Sequence, residues 1–132
     1  MNPALLIKNT GALAKLLQKG VTPPWIVFKN IPDVSIPMDS GFKSENVIFL
    51  NCDKNFVYFT LNKSNFPFLR KIYLASHPAE AATLSQFRNT NVKIYIHSAY
   101  KLYQPYQMPN ACIISHEEFT KITNSLSLFE ED

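Results

Sequence analysis

Lys71-Ile72-Tyr73-Leu74 is followed twenty-two residues later by Lys93-Ile94-Tyr95-Ile96, a near-copy with the residue types in the same order. Runs of this kind, rich in β-branched and aromatic residues, read as strands. Three further cores share the pattern: Trp25-Ile26-Val27-Phe28, Val47-Ile48-Phe49-Leu50 and Cys112-Ile113-Ile114. With Ile26, Ile48, Ile72, Ile94 and Ile113 as reference positions, the intervals are 22, 24, 22 and 19 residues. A recurrence of this length marks stacked supersecondary units. The flanking residues echo one another as well, Phe42-Lys43-Ser44-Glu45-Asn46-Val47 against Phe87-Arg88-Asn89-Thr90-Asn91-Val92.

Helical signals follow the last three cores. Ser76-His77-Pro78 opens a helix over 79–87, with a first-turn proline and Glu80 near its start. Ser98 to Tyr103 is a shorter helix stopped before Pro105. Ser115-His116-Glu117-Glu118 is a capping box ahead of Phe119, Ile122 and Leu126 at helical spacing. Residues 66–126 therefore read as β-α repeats, and strands joined through helices by short connections run parallel.

Outside that region, residues 1–20 read as an N-terminal amphipathic helix over Pro3 to Lys19, capped by Asn2 and stopped by Gly20. Residues 25–61 read as a strand or hairpin region, because Phe56-Val57-Tyr58-Phe59-Thr60-Leu61 has the composition of a second strand after a polar turn. The alternative puts 56–61 on the outer face of one repeat. Residues 29–46, with Pro32 and Pro37, read as a loop. The acidic tail 127–132 reads as an end that frays.

Leu69-x-x-Ile72-x-Leu74-x-x-His77 resembles the L-x-x-L-x-L-x-x-N core of leucine-rich repeats, and Ile94-x-Ile96 and Ile48-x-Leu50 keep its inner strand positions. No asparagine recurs at the ladder position. In its Asn, Lys, Phe and Tyr content and its degenerate repeats the chain also resembles uncharacterised proteins of large DNA viruses that infect amoebae, such as the marseilleviruses. These resemblances imply a stack of parallel β-α units capped by an N-terminal and a C-terminal helix. They also imply a long exposed surface that binds protein partners. The alternative fold is a small open α/β sheet with a β-hairpin at residues 47–61, whose ligand crevice would lie at the strand C-termini.

Composition narrows the function classes. The chain of 132 residues is one domain. Its three glycines make no G-x-G pair, which argues against a Gly-rich phosphate loop. The net charge of +3 comes from scattered cations, with Arg70-Lys71 the one adjacent pair, so charge alone does not indicate a nucleic-acid partner. Cys52 and Cys112 form neither a disulfide framework nor a C-x-x-C clip, and Cys112 reads as a small core residue. Asn62-Lys63-Ser64 fits a glycosylation sequon, but no signal peptide or membrane span accompanies it. The expectation is an intracellular, cytoplasmic protein with reduced thiols, or a virion component.

Four polar residues fall where strands end: Asp53, His77, His97 and His116. In an α/β domain that rim is where ligands bind. Converging imidazoles would suit a metal, and Cys52 with Asp53 and His77 or His97 would suit a nucleophile and its base. The plainer reading is that all four serve as caps and turn residues, and no catalytic, metal or cofactor site is assigned. Tyr100, Tyr103 and Tyr106 form a candidate interface, either against a protein or as a stacking platform for single-stranded nucleic acid. The sequence points most directly to a non-enzymatic protein that binds a protein partner, a homodimer first among them.

Overall fold

A computed structural model describes residues 2–9, 11, 15, 22–32, 41–76, 81–100 and 108–130. Among these residues seven strands form one sheet: β1 (Asn2–Ile7), β2 (Trp25–Lys29), β3 (Asn46–Leu50), β4 (Lys71–Ala75), β5 (Lys93–His97), β6 (Ala111–Ile114) and β7 (Leu126–Phe129). Between them lie α1 (Lys54–Thr60), α2 (Ala81–Ser85), a 3-10 turn at Ser98–Tyr100, and α3 (His116–Asn124). Every pairing is parallel, and the order across the sheet is β6-β5-β4-β3-β2-β1-β7.

Six strands are thus laid down in sequence, each beside its predecessor, and the seventh returns to the far edge. Crossovers between parallel strands are right-handed almost without exception. Steps taken in one direction therefore leave their connections on one face, and a step taken the other way leaves its connection on the opposite face. The two cores follow this rule. Phe56 and Val57 of α1, with Leu84 of α2 and the following Phe87, pack on the first face against Ile26, Phe28, Val47, Phe49, Ile72 and Ile94. Phe119 of α3 packs on the second face against Val27, Ile48 and Tyr73. Because both faces are covered, the strands are apolar at nearly every position rather than alternating.

The closing step also bends the sheet. Six inter-strand spacings of about 4.8 Å would put β6 about 29 Å from β7 in a flat sheet. The link from Ile114 to Leu126 contains nine helical residues rising about 1.5 Å each and reaches about 26 Å in all. It must also travel back along the strands, so the sheet has to curl around α3. The rings agree: Trp25 of β2 stacks on Tyr73 of β4 at 5.8 Å although β3 runs between them.

The first-face core centres on Phe28. It stacks on Phe49 at 5.2 Å and meets the edges of Phe56 at 5.3 Å and Phe42 at 6.1 Å. Farther out, Phe42, Phe66 and Phe87 are all buried at similar places in successive connections, and Phe42 stacks on Phe66 at 4.6 Å. Strand ends are tied in the same sequential manner. Asn30 and Asn51, immediately after β2 and β3, both adopt left-handed backbone, which asparagine tolerates well. The Asn51 amide donates to Asn30 Oδ1 at 3.0 Å.

Several expectations need correction. Asn2–Ile7 is a strand, not the start of a helix, because Leu5 and Ile7 enter one core while Ala4 enters the other. Four apolar residues in a row look alike in a buried strand and a helix. Gly11 and Lys15 are helical, and the rest of 10–21 lies outside the described residues. No hairpin forms at 47–61. Asp53 caps α1 by accepting from Asn55 N–H at 2.8 Å, and Phe56, Val57 and Thr60 are buried at helical spacing while Tyr58 and Phe59 face outward. The expected helix over 79–87 is Ala81–Ser85 followed by turns, with 77–80 outside the described residues. The tail does not fray from 127, since Leu126–Phe129 pairs with β1 and Glu130 reaches Lys8 at 3.3 Å. The register joins Leu5, Ile26, Val47, Ile72, Ile94 and Ala111, so Val47, not Ile48, is the partner of Ile26. Counted along that row, the intervals are 21, 21, 25, 22 and 17 residues.

Replacing Phe28 by Ala should cost about 3–5 kcal/mol, because the surrounding rings cannot close the void. Phe68→Ala, at a side chain 59% exposed, should stay within about 0.5 kcal/mol. Urea denaturation midpoints at an unchanged m-value check both.

Candidate functional site

Two of the three histidines converge. His97 ends β5 and His116 opens α3, and their rings meet with Nε2 of His97 3.0 Å from Nδ1 of His116. Ser115 sets the second ring in place by capping α3, its Oγ accepting from Glu118 N–H at 3.1 Å. The edges of Tyr100 and Phe119 close around His97 at ring separations of 5.7 and 5.3 Å. The proton positions follow from the partners. Ala99 N–H donates to His97 Nδ1 at 3.0 Å, so the neutral ring carries its proton on Nε2 and donates to His116 Nδ1. His116 then holds its proton on Nε2, which faces Thr120 Oγ1 at 3.4 Å.

This arrangement leaves no lone pair aimed at a reactant. A second proton on His97 would have to sit on Nδ1, opposite an N–H. Burial first, and then the His116 ring, hold His97 below the ordinary imidazole value. A metal on His97 Nε2 would require the same proton on Nδ1. Among the described residues no three His, Cys, Asp or Glu side chains gather as a ligand set. His77 lies outside the described residues, as do Tyr103 and Tyr106.

The remaining candidates are placed as follows. Asp53 sits at the end of β3 as the cap of α1. Cys52 is buried, with Sγ 3.3 Å from the Phe28 carbonyl, and burial pushes its thiol up, away from the nucleophilic thiolate. Its backbone N–H donates to Ser76 Oγ at 3.0 Å, and no His–Cys contact forms among the described residues. Cys112 is exposed on β6, a correction to its reading as core, because β6 is an edge strand whose outer side has no described neighbour.

The opposite end of the strands carries a feature that sequence reasoning did not single out as a site. On the second face, Trp25, Asn46, Lys71 and Lys93 stand in one cross-strand row. One step along the strands, Tyr73 stacks on Tyr95 at 4.9 Å with the rings 13° from parallel, and Trp25 continues the column. Burial, followed by Tyr95 and Cys112, pushes the Tyr73 hydroxyl up to about 12. Two adjoining clefts of about 400 and 460 Å³ open here, both lined by Asn91 and Lys93. The repeated Lys-Ile-Tyr was the available signal, but only the register shows that its lysines and tyrosines become neighbours.

A model described as a family of unknown function, DUF5845, matches residues 26–107, which run from β2 past β5. The chain belongs to this family. Two proteins of Acanthamoeba polyphaga mimivirus are similar to this DUF5845 chain. Uncharacterized protein L163 is 35% identical over 82 residues, covering 62% of this chain and 56% of L163. Uncharacterized protein R849 is 32% identical over 94 residues, covering 71% of this chain and 67% of R849. The DUF5845 chain thus spans little more than half the length of L163. No solved structure matches it. Among the described residues, no helix is long and apolar enough to cross a membrane.

The lowered value of His97 predicts a pH-dependent stability for this DUF5845 chain. Because the folded-state value of His97 is lowered, the unfolded chain binds the proton more readily than the native one. Its contribution is complete above about pH 6.5, the unfolded value, and is lost as pH falls through the lower folded value. Denaturation midpoints should therefore drop on acidification below that point, and His97→Gln should flatten the dependence.

Proposed function

We propose that this chain is a non-enzymatic interaction or structural protein built as a short leucine-rich-repeat-like stack. Its partner is a protein, first of all a second copy of itself, and its place is the virion or the infected cell. The sequential strand order supports the repeat reading. Cys52 supports it too, since it stands five residues after Val47, the position held by Asn or Cys in leucine-rich repeats. There its thiol serves a neighbouring strand end, bonding Phe28 O as a ladder residue would. The occupied hydrogen-bonding positions of Cys52, Asp53 and His97 favour binding over catalysis, and the mimivirus relatives support the viral setting.

One observation carries the self-association reading. Both edges of the sheet are open among the described residues, β6 pairing with β5 alone and β7 with β1 alone. Each edge presents large apolar side chains to solvent: Ile113 at 53% exposure on one, Leu128 at 49% and Phe129 at 38% on the other. An uncovered edge with apolar side chains is a template for pairing with another chain. Sedimentation velocity across a wide concentration range should show a dimer. Lysine at the edge in use, Ile113→Lys or Leu128→Lys, should return the monomer. A monomer at every concentration overturns the reading.

A further inference from the structure

We propose that the row of lysines and tyrosines at the N-terminal ends of β2–β5 is a binding groove for single-stranded nucleic acid, separate from the sheet edges. Lys71 and Lys93 are direct cross-strand partners, and neither has a carboxylate partner among the described residues. Like charges placed directly opposite destabilise a sheet. An anion shared between the two ammonium groups removes that repulsion. Glu45, beside the row and lining the first cleft, is engaged by Arg70 at 3.7 Å. Glu118 acts on Cys112, on the wall of the cleft beside Tyr95, but Lys93 acts on the same thiol in the opposite sense, so the cleft keeps a cation of its own.

Charge alone would suit any polyanion, and the rings narrow the choice. Trp25, Tyr73 and Tyr95 form a column of near-parallel rings across three strands, with successive centroids 5.8 and 4.9 Å apart. Tyr73, in the middle, is buried, but Trp25 and Tyr95 at the ends are only partly covered. The cleft of about 460 Å³ beside Tyr95 is within the range that holds small planar ligands. A base placed there extends the column, while its phosphates lie over Lys93 and Lys71. Aromatic faces beside a cationic track are the arrangement by which single strands are held without sequence readout. A duplex keeps its bases stacked on one another and cannot use the rings. Among the described residues the position of α3 leaves this end of the second face open: Phe119 meets Tyr73 from the side of His97, toward the strand C-termini.

The test is fluorescence anisotropy of labelled short oligo(U) and oligo(dT) titrated with the full chain at low salt. Quenching of Trp25, the one tryptophan in the chain, reports on the groove itself. Two phosphate contacts predict a slope of log K against log salt of about −1.4, halved in Lys93→Gln and close to zero in Lys71→Gln/Lys93→Gln. Tyr95→Ser should weaken binding at least about fivefold while leaving the salt slope in place. Unchanged thermal melting of the lysine variants separates lost binding from lost folding, and Tyr95→Ser, which also loses packing on Tyr73, is compared at a temperature well below its own melting point. Equal affinity for duplex DNA, equal binding by the double lysine variant, or absence of any Trp25 response would overturn the proposal. Competition by AMP as effective as that by oligo(U) would reassign the groove to a free nucleotide, and competition by polyglutamate as effective would assign it to an acidic protein segment. Either result overturns the single-strand reading.

Discussion

The handedness of parallel crossovers is the constraint on which this molecule rests. Five connections progress in one direction, and the chain then reverses once to return to its first strand. That single reversal assigns α1 and α2 to one face and α3 to the other, and so divides the core in two. It also forces a short link to span a wide sheet, which accounts for the curl. The curl in turn brings Trp25 and Tyr73 together across an intervening strand. Between β1 and β7, where the winding direction changes, Lys8 pairs with Glu130.

The two ends of the strands are chemically different, and the difference follows from what each must do. At the C-terminal ends the chain turns sharply into helices or loops, so backbone groups there need partners. Asp53, Ser76 and His97 supply them, each accepting from a backbone N–H, while Asn51 ties its side chain to that of Asn30 on the next strand end. Residues that look catalytic in the sequence are therefore occupied by the work of turning. At the N-terminal ends the chain arrives already extended, and backbone bonds such as Lys93 N–H to Arg70 O and Arg70 N–H to Glu45 O join successive segments. The side chains of that row are left to face outward.

Much of this was legible in the sequence. The strands at Trp25, Val47, Lys71 and Lys93, the parallel sense from Lys71 onward and the Ser115 cap are local signals, and all are found in the fold. What misled was local ambiguity. Ala4-Leu5-Leu6-Ile7 is apolar throughout because a doubly covered strand has no polar side, and a helix was an equally good account. Phe56 to Thr60 has strand-forming residue types, yet the Asp53 cap and the buried spacing make it helical. The meeting of His97 with His116 required the strand order, and the contribution of Trp25 to the tyrosine column required the curl. Neither is encoded within a window of a few residues. The placement of β7 beside β1 joins the two ends of the sequence, which no periodicity announces.

That last pairing has a kinetic consequence. Neighbouring strands elsewhere close loops of roughly twenty residues, whereas Asn2 meets Leu126 across almost the whole chain. Made first, the β1–β7 contact would cost about 1.5 kcal/mol more in loop entropy than a contact between successive strands. Assembly therefore favours growth from strand to strand, with the sheet curling as it lengthens, until α3 can reach across and β7 can dock. Until then β1 has a bare flank. On a ribosome, that flank stays uncovered until the final residues of this segment emerge.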